Sequence, residues 1–436
     1  MALDPEEYKQ RRARREQERQ ARQMKMKQLR IKLIIAAAVL LAVGILIFIV
    51  MRSGPGDPTG ENAVSQTGTT EAAEEGTSPS DETTEATTAP EENPKTVIRL
   101  AAAGDLCVSD PVVLAGGINL DYTETFMDIS HLLSDADITA LNFEGVAVGA
   151  PYGSSMSAPQ GLLDALTDTG VDVLQLANSY SVHKGMAGLS ATLSAVRNAG
   201  LEPLGTFASN EEFRASKGYT IKEVNGVKIA FVAFTKGMNG MALPSGNENC
   251  VNVLYTDYAT TYQDVDSEKI LSIVNAAKKE SPDIIVAMLH WGSEYNDTIS
   301  TSQGTILKLL QENGVSVILG THSHYVQQML FDQEAGTFAT YSLGDFFSVS
   351  ERSGTEYSVV LELEITKDKE AGTTKVTNYS YTPIFTVEEE GKPLRILRIR
   401  EAVAAYEANY YDRVSEEVYS DMKYALERIE SRVKGE

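Results

Sequence analysis

Five short runs of Val, Ile, Leu and Ala recur between residues 96 and 322, and each stops at or beside a group that can hold a metal ion or a hydrogen bond. They are TVIRLAAAGD (96–105), DITALNFEG (137–145), VDVLQLAN (171–178), DIIVAMLH (283–290) and VSVILGTH (315–322). Apolar runs of this length without polar alternation read as strands buried on both faces, and such strands need helices to cover their sheets. Helix-like stretches lie between several of them, MAGLSATLSAVRNAG closed by Gly200 and GTILKLLQENG closed by Gly314. The chain is therefore α/β.

Two other stretches alternate as antiparallel pairs do. GYTIKEVNGVKIAFVAFT (218–235) carries Asn225-Gly226 between apolar runs, a strong hairpin signal, and YSVVLELEITKD with TTKVTNYSYTPIFTVEE forms a second pair. The expectation is a four-layer α/β/β/α sandwich of two mixed sheets over residues 96–350. Residues 351–436 add strands and then one or two amphipathic helices that pack on this domain.

The first 95 residues belong to different surroundings. Residues 33–51, LIIAAAVLLAVGILIFIVM, carry no charge and would span about 28 Å as a helix, close to the hydrocarbon thickness of a bilayer. A small-residue cleavage site is absent; Arg52 follows instead. Residues 1–32 hold 11 basic and 5 acidic residues, whereas residues 53–94 hold no Lys or Arg and ten acids. The positive-inside tendency then predicts a single-pass anchor in the cell membrane, with residues 1–32 cytoplasmic, residues 33–51 in lipid and the C-terminal domain extracellular. The Thr-, Glu- and Pro-rich segment 53–95 reads as a disordered acidic linker between the two.

The net charge of −23 would repel phosphate backbones, so nucleic acid is not expected as a partner. Cys107 and Cys250 both fall in the domain, where a free, buried pair is expected.

In open α/β sheets, ligands bind beyond the C-terminal ends of the strands. Asp105, Glu144, Asn178, His290, His322 and His324 all fall there, including three of only five histidines. Spacing by two in His322-Ser323-His324 is expected to point both rings the same way. Imidazole and carboxylate together suit a divalent ion such as Mn²⁺, Zn²⁺ or Fe²⁺. Asn178 also fits an ordinary loop-bracing amide, and His131 and His183 read as surface residues.

These residues carry a resemblance. Asn142-Phe143-Glu144-Gly145, Leu176-Ala177-Asn178, Gly188-Leu189 with Thr192-Leu193, His290-Trp291-Gly292 with Glu294-Tyr295, Gly320 with His322 and His324, and Tyr341-Ser342-Leu343-Gly344 with Phe346 together resemble the poly-γ-glutamate capsule synthesis (CapA) family. That family is placed with the calcineurin-like metallophosphoesterases. The resemblance covers about residues 97–347. It implies metal ligands at Asp105, Glu144, His290, His322 and His324, and catalytic or substrate-orienting roles for Asn178, Tyr180 and His290. Trp291, Glu294 and Tyr295 are then expected to line a substrate cleft.

The chain departs from the family pattern at several places: His183 stands where an aspartate is expected, and a Gly-His-His-Pro-His pattern reads Gly320-Thr321-His322-Ser323-His324. Ser179 stands where an amide ligand is expected, Tyr180 where an imidazole is expected, and Asp345 replaces the Asn of a Gly-Asn-Phe pattern. Ser179 and Tyr180 imply one strong metal position rather than two, and no imidazole acid near the leaving group. Two functions follow from different classes. One is a metal-dependent hydrolase or transferase acting on an envelope polymer. The other is a catalytically degenerate polymer-binding or assembly subunit beside a membrane synthase.

Overall fold

The computed structural model describes residues 94–349, 352–411 and 414–436. The basic segment 1–32, the span 33–51 and the linker as far as residue 93 lie outside the described residues. Among those described, no helix is long and apolar enough to cross a membrane.

The chain begins in one sheet with β1 (Lys95–Cys107), β2 (Ile138–Glu144), β3 (Val173–Gln175) and β4 (Glu202–Leu204). It crosses to a second with β5 (Tyr219–Val224), β6 (Val227–Thr235), β7 (Ile284–His290), β8 (Val317–Thr321), β9 (Met329–Asp332) and β10 (Thr337–Thr340). It then returns to the first through β11 (Asp345–Phe347), β12 (Tyr357–Asp368), β13 (Thr373–Val387) and β14 (Arg395–Arg398). The first sheet runs β14-β13-β12-β1-β2-β3-β4, with β11 also paired to β1, and the second runs β5-β6-β7-β8-β10-β9. Both mix parallel and antiparallel neighbours.

The double burial of the apolar runs has the physical cause their composition implies. One face of β1, β6 and β7 contributes Leu100, Ala102, Phe231 and Met288 to a core between the sheets. The other face of β2 packs Leu141 and Phe143 against Leu162 and Leu193, from the helices Gln160–Thr169 and Gly185–Asn198. Outside the second sheet, Val232 and Leu289 meet Ile273 and Ile306, from the helices Ser267–Lys278 and Thr301–Glu312. Asn225 and Gly226 take positive φ, 50° and 78°, and turn β5 into β6.

Two details differ from the sequence reading. The run 171–178 yields a strand of only three residues, because its end turns away into the loop that carries Asn178 and Tyr180. The segment beyond residue 350 is no appendage. β12 pairs antiparallel with β1 from Lys95 to Ala102, and β12–β14 supply three of the eight strands of the first sheet. The helices Ile399–Glu407 and Glu416–Lys434 extend the inter-sheet core through Ala402, Met422 and Ile429.

Candidate metal centre

Each polar group stands where a strand stops. β1 carries an irregularity between Ala103 and Asp105, which re-aims Asp105 relative to β2. Only glycine fits at 104, since a Cβ there would lie 1.7 Å from the Gly344 carbonyl oxygen. Asp105 is fully buried; its Oδ1 accepts from Asn142 Nδ2 at 2.6 Å and its Oδ2 from the His322 N–H at 3.0 Å.

His322 and His324 both take positive φ, 90° and 63°, and both are buried. A strained backbone of this kind costs of order 1–3 kcal/mol per residue and persists only where its surroundings hold it; here the His322 N–H bond to Asp105 supplies part of that hold. Both rings reach sets that share Glu144, their centres 6.4 Å apart, although strand alternation does not set them. β8 ends at Thr321, and the left-handed turns beyond it divide the rings between two groups. Ligand atoms of Glu144, His290 and His322 lie within 4.8 Å of one another, and so do those of Asp105, His324 and Asp345. Cys107, Glu144 and His324 form a third such set that joins the first two. Asp105, Glu144, His290, His322 and His324 are thus brought together.

His290 is oriented from its Nδ1 side by Thr321 Oγ1 at 3.1 Å and Asn142 Nδ2 at 3.4 Å. Its Nε2 faces Ser179 Oγ at 3.0 Å and Glu144 Oε1 at 2.9 Å. Glu144 Oε1 has the His290 ring as its close partner, and buried His322 Nδ1 has none among the described residues. An unpartnered ring nitrogen beside a buried carboxylate that only imidazole meets fits a cation, because an unsatisfied buried polar atom otherwise costs about 1–3 kcal/mol.

The electrostatics divide the cluster: Glu144 and His322 are held in the forms that ligate a cation, whereas Asp105 and His324 hold protons more tightly in its absence. Burial, reinforced by Glu144, pushes Asp105 up to about 7. Burial opposes the charge on Glu144, but the adjacent His290 outweighs it and holds the carboxyl below its usual value. Burial, helped by His290 and Lys236, drives His322 well below the usual imidazole value, so it stands neutral and able to ligate. For His324 burial works the same way, yet the charge and hydrogen bond of Asp345 outweigh it and hold the ring well above that value. Burial also lifts the Cys107 thiol, with Asp345 and Glu144 adding to it.

Several expected roles need correction. Trp291 does not line a cleft. It is fully buried in the core under the second sheet, donates from Nε1 to the Tyr341 carbonyl at 2.8 Å and stacks on that ring. Asn178 spends its amide on bracing: Nδ2 donates to Phe143 O and Asn142 Oδ1, and Oδ1 accepts from the Tyr180 N–H. Both of its donors are spent on this bracing. Glu294 and Tyr295 do stand at the mouth, Glu294 Oε1 3.5 Å from His324 Nε2 and the Tyr295 ring stacked on His324 at 4.8 Å. The Tyr180 hydroxyl is pushed up to about 12, chiefly by burial and then by Glu144, so it stays protonated at neutral pH.

His131 and His183 are half-buried and outside the cluster. Cys107 and Cys250 are free. The sequence reading gave no site role to Cys107, Asn142, Thr321 or Asp345; Asn142, Thr321 and Asp345 carried a signal as members of quoted motifs, and Cys107 carried none.

Fold and cluster define a class: an α/β protein of two mixed sheets whose strand ends gather a buried His, Asp and Glu set compatible with a divalent metal ion. Residues 99–350 match the family of the bacterial capsule synthesis protein PGA_cap, and the chain belongs to that family. It is 28% identical over 234 residues to the capsule biosynthesis protein CapA of Bacillus anthracis, covering 52% of this chain and 53% of that one. It is 27% identical over 230 residues to the PGA biosynthesis protein CapA of Bacillus subtilis, covering 53% and 55%. The chain thus spans about half the length of the curated relatives it matches. Among solved structures it is similar to a phosphatase from Mycoplasma pneumoniae, with TM-score 0.39 and 11% identity over 66% of this chain and 94% of that one. It is also similar to the calcineurin-like phosphoesterase YfkN of Bacillus subtilis, with TM-score 0.37 and 16% identity over 76% and 100%.

Proposed function

We propose that this chain is a metal-dependent hydrolase or transferase of the cell envelope, acting on the polymer of a capsule. The observation that carries this reading is the unpartnered His322 Nδ1 beside Glu144 and His290, inside a buried cluster of acids and imidazoles. Glu144, His290 and His322 would hold one divalent ion, and Asp105, His324 and Asp345 a second position beside it. Such an ion, when bound, polarises a phosphoryl or carbonyl oxygen and makes a bound water a better nucleophile. Mn²⁺, Zn²⁺ and Fe²⁺ all suit mixed imidazole and carboxylate donors.

The chain's own residues orient that chemistry. Asn142 and Thr321 fix the His290 ring, and Asn142 also fixes the Asp105 carboxylate. Tyr180, protonated and half-exposed above Glu144, donates a hydrogen bond to a substrate oxygen and cannot shuttle a proton at neutral pH. The uncharged residues 33–51, flanked by the basic segment 1–32, anchor the domain outside the cell membrane, where the polymer and the synthase subunits that make it would meet it.

Ser179 and Tyr180 favour a second reading, a polymer-binding or assembly subunit without turnover. The test uses the full chain in detergent, purified without chelator, with elemental analysis and assays on phosphoester, amide and capsular polymer substrates. The expected result is bound transition metal and turnover that chelator removes and His322→Ala abolishes in a folded protein. A folded, metal-loaded chain with no turnover would move the conclusion to the assembly reading, and a chain that takes up no metal would overturn the proposal.

A further inference from the structure

A second site lies behind the histidine loop and shares no residue with the metal cluster. The helix Glu416–Lys434 lays Arg432 beneath the loop that follows His324, with its guanidinium carbon 4.7 Å from the Tyr325 ring centre and 5.6 Å from that of Tyr357. The Arg432 side chain is only 11% exposed. Among the described residues its Nε and Nη1 are buried without any hydrogen-bond acceptor, and its Nη2 lies 3.6 Å from Asp297 Oδ2. Guanidinium N–H groups left unsatisfied in this way are costly, and the two rings fix the plane of the guanidinium.

One helical turn earlier stands Arg428, half-buried and without an ion pair among the described residues. Like charges four residues apart on a helix repel, by roughly 0.2–0.5 kcal/mol, unless an anion sits between them. Both arginines face a cavity of about 300 Å³, which Gln327, Gln328 and Val326 close from the loop side. That volume is at the low end of small-molecule sites and exceeds what a lone ion fills.

We infer that this cavity is an oxyanion-binding site, in which Arg428 and Arg432 grip the carboxylate or phosphate group of a small organic anion. Guanidinium groups match both oxyanions through paired N–H donors. Two acids, Asp297 and Glu436, line the same cavity and compete for the arginines. The site is therefore tuned for moderate affinity, and removing Asp297 should strengthen it. Its occupant would press on Tyr325 and Val326, next to His324. Gln327 Nε2 donates to Asn296 O at 3.0 Å and ties this loop to the one that carries Glu294 and Tyr295.

The test titrates the full chain in detergent with inorganic phosphate and, separately, with glutarate, at constant ionic strength and in the presence of chelator, by calorimetry and thermal shift. The expected result is saturable binding of at least one probe. Arg428→Gln should weaken it about tenfold, the loss of one charged hydrogen-bonding partner, and Asp297→Asn should tighten it severalfold. Because Arg432 is packed between two rings and its removal threatens folding, these two variants carry the test. Binding of one probe and not the other assigns the anion's source and supports the site. No saturable binding at millimolar concentration, binding unchanged in both variants, or binding lost in Glu144→Ala and retained in Arg428→Gln would each overturn it. The last outcome would place the anion at the metal cluster instead.

Discussion

His324 Nδ1 lies 2.7 Å from Asp345 Oδ1, and both side chains are buried. The contact follows from topology: β11 runs parallel to β1 with Asp345 opposite Asp105, so an acid at 345 stands beside the acid at the end of β1. Ser348 Oγ donates to the other Asp345 oxygen at 2.6 Å and fixes its orientation.

In metal-free protein, Asp345→Asn should therefore bring the His324 pKa down, since burial alone lowers it and the Asp345 charge is what raises it. Histidine NMR titration reads this directly in a chain with five histidines. A His324 resonance that titrates as before in the variant would mean that Glu294 or Cys107, not Asp345, holds the proton.

Asp105 predicts how the metal-free domain responds to pH. Its carboxyl is raised from 3.8 to about 7 by burial and Glu144, so between those values the folded state binds a proton that the unfolded state releases. Stability from this group accordingly rises as pH falls through about 7, and it is lost again above that. Chelator-treated protein should melt at higher temperature at pH 5.5 than at pH 7.5, with a smaller difference in Asp105→Asn. Saturating metal should flatten the profile, because the ion replaces the proton. Equal pH slopes for the native chain and Asp105→Asn would show that other groups set the response.

The class of fold and five of the site's residues were legible for one reason: buried parallel strands are written as unbroken apolar runs, and what ends them stands out. Trp291 was misread because a large aromatic beside a ligand looks the same in sequence whether it faces a cleft or a core. Here the direction is decided by the Tyr341 carbonyl, fifty residues away. The division of His322 from His324 was hidden in two positive φ values, which no spacing reveals. Cys107, Asn142 and Thr321 became neighbours of the site only through sheet pairing, where Cys107 stands opposite Glu144 and Thr321 opposite His290.

Trp291 should consequently behave as a core residue. Trp291→Phe loses the bond to Tyr341, at about 1 kcal/mol, and Trp291→Ala about 3–5 kcal/mol through the cavity it leaves. Denaturant unfolding measures both. KM for any substrate should be unchanged in Trp291→Phe at temperatures where it is folded, and a several-fold rise in KM would return Trp291 to the substrate site.

The loop that carries Ser179 and Tyr180 allows the sharpest test of how far the centre has departed from a two-metal site. Ser179 Oγ sits 3.0 Å from His290 Nε2, so a longer amide at 179 would bring a neutral oxygen into the space between His290 and Glu144. A histidine at 180 would replace a hydroxyl held near 12 by a group with a free pKa of about 6.5, able to give and take a proton at neutral pH. Ser179→Asn with Tyr180→His should then raise metal stoichiometry above that of the native chain and increase turnover by about 10²-fold, the low end of what a positioned acid contributes. Elemental analysis and initial rates on a phosphoester check the two effects separately. More metal without faster turnover would show that neither the second metal position nor the missing imidazole limits turnover. A folded double variant with neither change would show that this loop is not what limits the site, and that the native centre serves to bind.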